Sequence, residues 1–257
     1  MTATAMKLTV IGCSGSFPGP DSSASAYLVE AVHEGRTWRI LLDLGSGALG
    51  TLQRYADPLA LDAVFLSHLH PDHCFDMSGY YVMRKYHPDG AAPRIPVHGP
   101  KGTAKRLAQA YGLPEKPGMN DEFDFCEYDG QPVAVGPFQV SSTRVEHPVT
   151  AYALRVAHGD TSLVYSGDTG PCDALVTLAK GSELLLAESS FVEGHDNPGG
   201  LHLTGKQAGE AAARAGVSTL VLTHIPPWHD RQAAVEEARP AYDGRIELAH
   251  TGATYTV

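Results

Sequence analysis

A mixed α/β fold is what this chain predicts, and three observations carry it. Short apolar, β-branched runs of strand length dominate and fall in two batches, with helix-like segments between them. Metal-ligating side chains gather where apolar runs end, most densely in Ser67-His68-Leu69-His70-Pro71-Asp72-His73. No repeat, low-complexity stretch or long linker cuts the 257 residues, so one domain over 1–257 is expected.

The elements follow in order. Lys7 to Cys13 reads as a strand, and the Gly-, Pro- and Ser-rich stretch Ser14 to Ser22 as a loop. Ser25 to Val32 and Trp38 to Leu44 form a predicted hairpin turned at Glu34-Gly35. Asp43-Leu44-Gly45-Ser46-Gly47 leads into a short helix over about 48–55, and Ala63 to Leu66 is an apolar strand. Beyond the His-rich loop come a helix near Phe75 to Tyr86, a strand Arg94 to Gly99, a helix Lys101 to Tyr111 and a connector Gly112 to Asp121. Phe123 to Tyr128, Phe138 to Glu146, Ala151 to Ala157 and Thr161 to Ser166 read as strands. A tight turn at Gly167-Asp168-Thr169-Gly170 precedes a helix Pro171 to Ala179 and a strand Glu183 to Glu188. Thr204 to Ala215 is a helix with Thr204 as its cap, and Ser218 to Thr223 is an apolar strand. A helix near Arg231 to Glu237 and a last strand near Ile246 to Leu248 close the chain.

Composition narrows the function classes. A hydrophobic content of 43% supports a full core. A net charge of -10 disfavours a broad nucleic-acid footprint, so nucleic acid is the less favoured partner. Cys13, Cys74, Cys126 and Cys172 are scattered with no Cys-x-x-Cys, which points to free buried thiols in a reducing cytoplasm. Met1 to Met6 lacks a charged start and an apolar stretch, so no signal peptide is expected, and no run approaches membrane-spanning length.

The His-rich loop carries the chemistry. Imidazole and carboxylate are ligands for zinc and its first-row neighbours. Pro71 suits the first position of a helix and places Asp72 and His73 at its start. His68 and His70 point the same way if the chain is still extended, while Asp72 and His73 turn toward a second point. One short loop can thus serve two metals. Three further residues are each the first strongly ligating group after an apolar run: His147, Asp168 in Tyr-Ser-Gly-Asp-Thr-Gly, and His224 in Leu-Thr-His. His158 competes with His147 in the same region, whereas His33, His87, His195, His229 and His250 lack this context and read as surface residues. Asp43, at a strand end beside a Gly-rich turn, is either a cap or turn residue or a carboxylate orienting a ligand histidine.

His-x-His-x-Asp-His followed by these three residues resembles the metallo-β-lactamase superfamily. The resemblance implies an αββα four-layer sandwich. It implies that His68, His70 and His147 hold one metal, that Asp72, His73 and His224 hold a second, and that Asp168 bridges them. Two divalent ions are implied, Zn2+ first, with Mn2+ or Fe as alternatives. An aspartate rather than a cysteine at 168 suits metal pairs that handle phosphate or thioester oxygens.

Gly167 to Asp173, Glu188-Ser189-Ser190-Phe191, His202-Leu203-Thr204 and Leu222-Thr223-His224 resemble the ribonuclease Z branch. That likeness makes His202 the acid for the leaving oxygen and Glu188 a supporting carboxylate beside Asp43; otherwise His202 merely flanks a helix start. It also carries the expectation of a homodimer. The chain departs from the branch by lacking the long tRNA-gripping arm, since His147 and Asp168 are only about 20 residues apart. It departs again in continuing His224 with Ile225-Pro226-Pro227-Trp228.

Nearly the whole chain resembles the bacterial atypical class II-like cyclic nucleotide phosphodiesterases. The likeness runs through Ile11 to Ser16, Gly19 to Ser22, Arg84 to Pro88, Tyr165 to Gly170 and Thr223 to Trp228. It implies in-line attack of a metal-bridging hydroxide on a 3′,5′-cyclic nucleotide such as cyclic AMP, with Asp72 and His202 as catalytic residues. A tRNA 3′-processing endonuclease, and a lactonase or thioesterase on the same centre, are the alternatives.

Overall fold

The structure, a computed structural model, describes residues 5–195 and 197–257. The expectation about a signal peptide falls largely on positions 1–4, outside the described residues.

The first half builds one sheet from β1 (Met6–Ser14), β2 (Ser23–Ala24), β3 (Ala26–His33), β4 (Arg36–Leu42), β5 (Ala63–Phe65), β6 (Ile95–Gly99) and β7 (Phe123–Glu127). Helices α1 (Ala48–Leu52), α2 (Pro71–Cys74), α3 (Met77–Lys85) and α4 (Thr103–Tyr111) lie between these strands in sequence. The second sheet contains β8 (Val133–Val135), β9 (Phe138–Arg144), β10 (Tyr152–His158), β11 (Thr161–Tyr165), β12 (Leu184–Glu188), β13 (Thr219–Thr223) and β14 (Arg245–Leu248). It carries α5 (Asp173–Ala179), α6 (Gly205–Ala215) and α7 (Arg231–Ala238). The last strand, β15 (Thr254–Thr256), returns to pair antiparallel with β1 in the first sheet.

Strand alternation explains the layers. Met6, Leu8, Val10, Tyr27, Val29 and Phe65 face a central core that also takes Phe138, Leu154, Val156, Leu163, Tyr165 and Leu186 from the second sheet. The intervening Ile11, Leu28, Leu41 and Val64 pack outward against Leu52, Met77, Tyr80 and Leu107 of the helices. On the second sheet Val164, Leu185, Leu220 and Leu222 pack outward against Leu175, Ala208, Ala212 and Ala238. Both faces of each sheet are therefore buried, and the fold is the αββα sandwich of the metallo-β-lactamase type.

Several boundaries differ from expectation for identifiable reasons. The hairpin turns at Glu34 (φ 52°) and Gly35 (φ 75°), both left-handed, which matches the strand twist. The helix expected from Phe75 starts at Met77, because Pro71–Cys74 forms its own turn with Pro71 at the first position. The helix expected from Pro171 starts at Asp173. Thr204 caps α6 in a full capping box with Gln207. Ile246 to Leu248 does not close the chain, since β15 follows it; β2 and β8 were also not foreseen. Cys13 and Cys74 are buried as expected, but Cys126 and Cys172 are only partly so; all four are free.

Topology fixes where chemistry can occur. β4, β5, β6 and β7 run parallel, and so do β11, β12, β13 and β14. The residues just past β4, β5, β11 and β13 are Asp43, Ser67-His68, Asp168 and His224, and β12 ends on Glu188 itself. They therefore meet along one edge between the sheets, where the carboxyl ends of parallel strands leave a crevice.

Candidate metal centre

Two imidazole-carboxylate groups share one aspartate. His68, His70, His147 and Asp168 form one, and Asp72, His73, Asp168 and His224 form the other; within each, the ligating atoms lie within 4.8 Å of one another. In the first, His70 Nδ1 lies 3.0 Å from His68 Nε2 and 3.3 Å from His147 Nε2. In the second, His73 Nε2 is 3.1 Å from Asp168 Oδ1, and His224 Nε2 is 3.4 Å from Asp168 Oδ2 and 3.6 Å from Asp72 Oδ2. Asp168 Oδ2 also reaches within 3.6 Å of His68 Nε2, which makes Asp168 the hinge between the groups. All seven side chains named from the sequence are thus brought together. His158 is not among them: it lies at the far end of β10, against Phe138 and His33.

Three of the imidazoles, those of His73, His147 and His224, are aimed from behind. Asp43 is fully buried and accepts four hydrogen bonds, from Ser67 N at 2.6 Å, Ser67 Oγ at 2.7 Å, His73 Nδ1 at 2.7 Å and Tyr165 Oη at 2.8 Å. It caps no helix, because Gly47 holds the cap position of α1 with no side-chain bond. Of the two readings of Asp43, the structure favours the carboxylate that orients a histidine. Its φ of 59° turns the side chain off the end of β4 into the crevice, and a left-handed non-glycine residue costs about 1–3 kcal/mol unless its surroundings hold it. His224 has a φ of 56° and its Nδ1 lies 3.0 Å from Ser25 Oγ. A Cβ at Gly15 would run into the His224 carbonyl, so only glycine lets the first loop close over this turn. His147 Nδ1 donates to the Leu201 carbonyl at 2.9 Å, leaving Nε2 as a bare lone pair toward the site.

The donor set fits metal ions. His224 Nε2 is buried with no hydrogen-bond partner, and His73 Nε2 and Asp168 Oδ1 face each other at 3.1 Å without the alignment of a hydrogen bond. Nitrogens about 2.0–2.1 Å from one tetrahedral ion stand roughly 3.3–3.4 Å apart, and roughly 2.9 Å apart at right angles. The 3.0 and 3.3 Å spacings around His70 match that range. Converging lone pairs and a carboxylate are mutually repulsive unless a cation stands among them.

The charges agree. Burial pulls His68, His70, His147 and His224 below the usual histidine range, the neutral state a metal requires. Burial also opposes charge on His73, but the Asp168 and Asp43 carboxylates outweigh it and hold its proton well above the usual range. Asp72 and Asp168 are pushed up by burial yet held below the carboxylate range by the surrounding imidazoles, His73 and His224 foremost.

A third group adjoins Asp168. His202 Nδ1 lies 2.8 Å from Glu188 Oε1 and 4.0 Å from Asp168 Oδ2. Glu188 is fully buried and also accepts from Thr169 N at 2.9 Å and Ser190 N at 3.2 Å. Burial lowers the His202 imidazole, but Glu188 prevails, with Asp168 helping, and lifts it to about 9.

Sequence reasoning gave no role to Ser67, Tyr165, Ser25 or the Leu201 carbonyl. Ser67 and Tyr165 sit inside motifs named above, and a small hydroxyl beside a candidate ligand was the available signal. Ser25 and Leu201 reach the site only through the tertiary fold.

A sandwich with a shared-aspartate His/Asp cluster at its strand tips defines a class, and the comparisons agree. The model of the beta-lactamase superfamily domain matches residues 38–225. The chain belongs to that superfamily. An uncharacterized protein of Mycobacterium leprae is 45% identical over 261 residues, covering 100% of this chain and 90% of that protein. The probable metallo-hydrolase YhfI of Bacillus subtilis is 30% identical, covering 96% of this chain and 98% of that one. Its crystal structure superimposes with a TM-score of 0.86 at 29% identity, over 99% of this chain and 100% of that one. Ribonuclease Z of Myxococcus xanthus is 27% identical over 97% of both chains.

Proposed function

We propose that the protein is a dinuclear metal-dependent phosphodiesterase that opens a 3′,5′-cyclic nucleotide, cyclic AMP, by in-line attack of water at phosphorus. His68, His70 and His147 would hold one ion, and Asp72, His73 and His224 the other, with Asp168 shared. Zn2+ suits the set best; Mn2+ and Fe share its ligand preferences. Bound ions supply Lewis-acid stabilisation of the phosphoryl oxygens and lower the pKa of the attacking water.

The chain's own residues do the rest. Asp43, with Ser67 and Tyr165 behind it, keeps the His73 ring from rotating. The Leu201 carbonyl does the same for His147. Because His202 Nδ1 faces Glu188, its Nε2 is the nitrogen free to hand a proton to the departing 3′ oxygen. An alkoxide leaves poorly without an acid, and an imidazole lifted to about 9 keeps its proton at neutral pH.

The pair of half-buried His202 with buried Glu188 beside Asp168 is the observation that carries this reading, since metal binding alone needs no acid there. Substrate size is argued from the hairpin β10–β11, which fills the span from His147 to Asp168 and leaves no arm to grip a large RNA. Hydrolysis of cyclic AMP by metal-loaded protein should yield adenosine 5′-monophosphate. Turnover of a lactone or thioester, with no phosphodiester cut, would overturn the reading.

The second reading is endonucleolytic tRNA 3′ processing. It is favoured by the likeness to the Myxococcus xanthus protein named ribonuclease Z.

A further inference from the structure

A positively charged recess adjoins the centre on the His70 side. A cavity of about 320 Å³ is lined by His70 itself, by Leu69 and Val149, and by Lys101, Arg106 and Thr150. No acidic residue lines it. Lys105, next to Arg106 on α4, is paired with Glu115 at 3.2 Å, but Arg106 and Lys101, in the turn before α4, have no carboxylate partner among the described residues. The Arg106 guanidinium stands 5.7 Å from the centre of the Phe75 ring. Phe75 directly follows α2, the turn that carries Asp72 and His73. Arg106 is therefore tied to the element that supplies two ligands.

Two uncompensated cations beside a ligand are notable in a chain of net charge -10. Arginine and lysine together make a phosphate site: a planar fork for two oxygens and a mobile point charge for the third. Leu69 and Val149 give the same recess an apolar wall for a sugar face.

We propose that Lys101 and Arg106 form a subsite for a second phosphate of the substrate, distinct from the phosphodiester being cleaved. The inference rests on the phosphodiesterase reading and extends its substrate class to nucleotides carrying an additional phosphate. A cyclic mononucleotide has one phosphate and leaves this subsite empty.

Calorimetric binding to the metal-loaded full chain tests it without turnover. Adenosine 3′,5′-bisphosphate is compared with adenosine 5′-monophosphate on wild type and on the Lys101→Ala/Arg106→Ala variant. Wild type should prefer the bisphosphate by roughly tenfold, and the preference should shrink as salt rises, because the cations are solvent-facing. The variant should bind both ligands alike, and Lys101→Glu/Arg106→Glu should reverse the order. Both positions lie on the surface, so the variants fold. Equal wild-type affinities, or a preference that survives in the alanine variant, would overturn the subsite. Failure of wild type to cleave bis-p-nitrophenyl phosphate, with the bisphosphate preference intact, would count against the phosphodiesterase reading and leave the subsite standing.

Discussion

Replacing Asp43 by asparagine changes one atom and disturbs four hydrogen bonds. Three donors converge on Oδ2, from Ser67 Oγ, His73 Nδ1 and Tyr165 Oη, and one on Oδ1, from Ser67 N. An amide has one acceptor oxygen. If it faces the three, the new NH2 confronts the Ser67 N–H; if it faces the one, three donors lose their acceptor. The milder arrangement leaves a buried donor unsatisfied, at about 1–3 kcal/mol. It also replaces three charge-assisted bonds by neutral ones of roughly half the strength. Together these amount to about 3–5 kcal/mol, the usual cost of breaking a buried charged pair. The His73 ring loses its anchor as well, so metal affinity should fall about 10–100-fold. Denaturant unfolding of chelator-treated protein measures the first effect, and zinc titration against a competing chelator the second. Unchanged metal affinity with stability within about 1 kcal/mol of wild type would refute the orienting role.

Three further outcomes are expected. His70→Ala or Asp72→Ala should lower metal content and abolish phosphodiester turnover, read by elemental analysis beside a p-nitrophenyl phosphodiester assay; full metal content would remove either from the ligand set. His202→Ala should keep its metal while turnover drops by roughly 10²–10⁴, and wild-type turnover would exclude His202 from the reaction. The acid form of His202 is present below its raised pKa of about 9 and is lost as pH rises through it, so kcat should fall above that pH. Glu188→Gln removes the main cause of the rise and should move this alkaline limb to lower pH; a limb that stays put would assign it to another group.

Much of the candidate centre was legible because its imidazoles and carboxylates stand at or just beyond the ends of strands. His68, His70, Asp72 and His73 fall within six residues, and Asp168 and His224 each follow an apolar run whose length alone marks it as a strand. Asp43 was only half legible. Its neighbours suit a cap as well as an orienting carboxylate, and the choice is made by Ser67 and Tyr165, which arrive from β5 and β11. Short edge strands were not legible. Val133–Val135 and Thr254–Thr256 have three residues each, too few for a period to show, and gain their order from pairing with Phe138–Arg144 and Met6–Ser14. The cation pair at Lys101 and Arg106 looks like an ordinary helix surface in sequence; only the fold sets it beside His70.

The most direct test offers metal-loaded protein cyclic AMP and, separately, a 3′-extended tRNA precursor, with Asp72→Ala as the blank. Cleavage of cyclic AMP to adenosine 5′-monophosphate, absent in the blank, with the precursor intact, is the expected result. Cleavage of the precursor with cyclic AMP untouched would contradict it and return the centre to RNA processing.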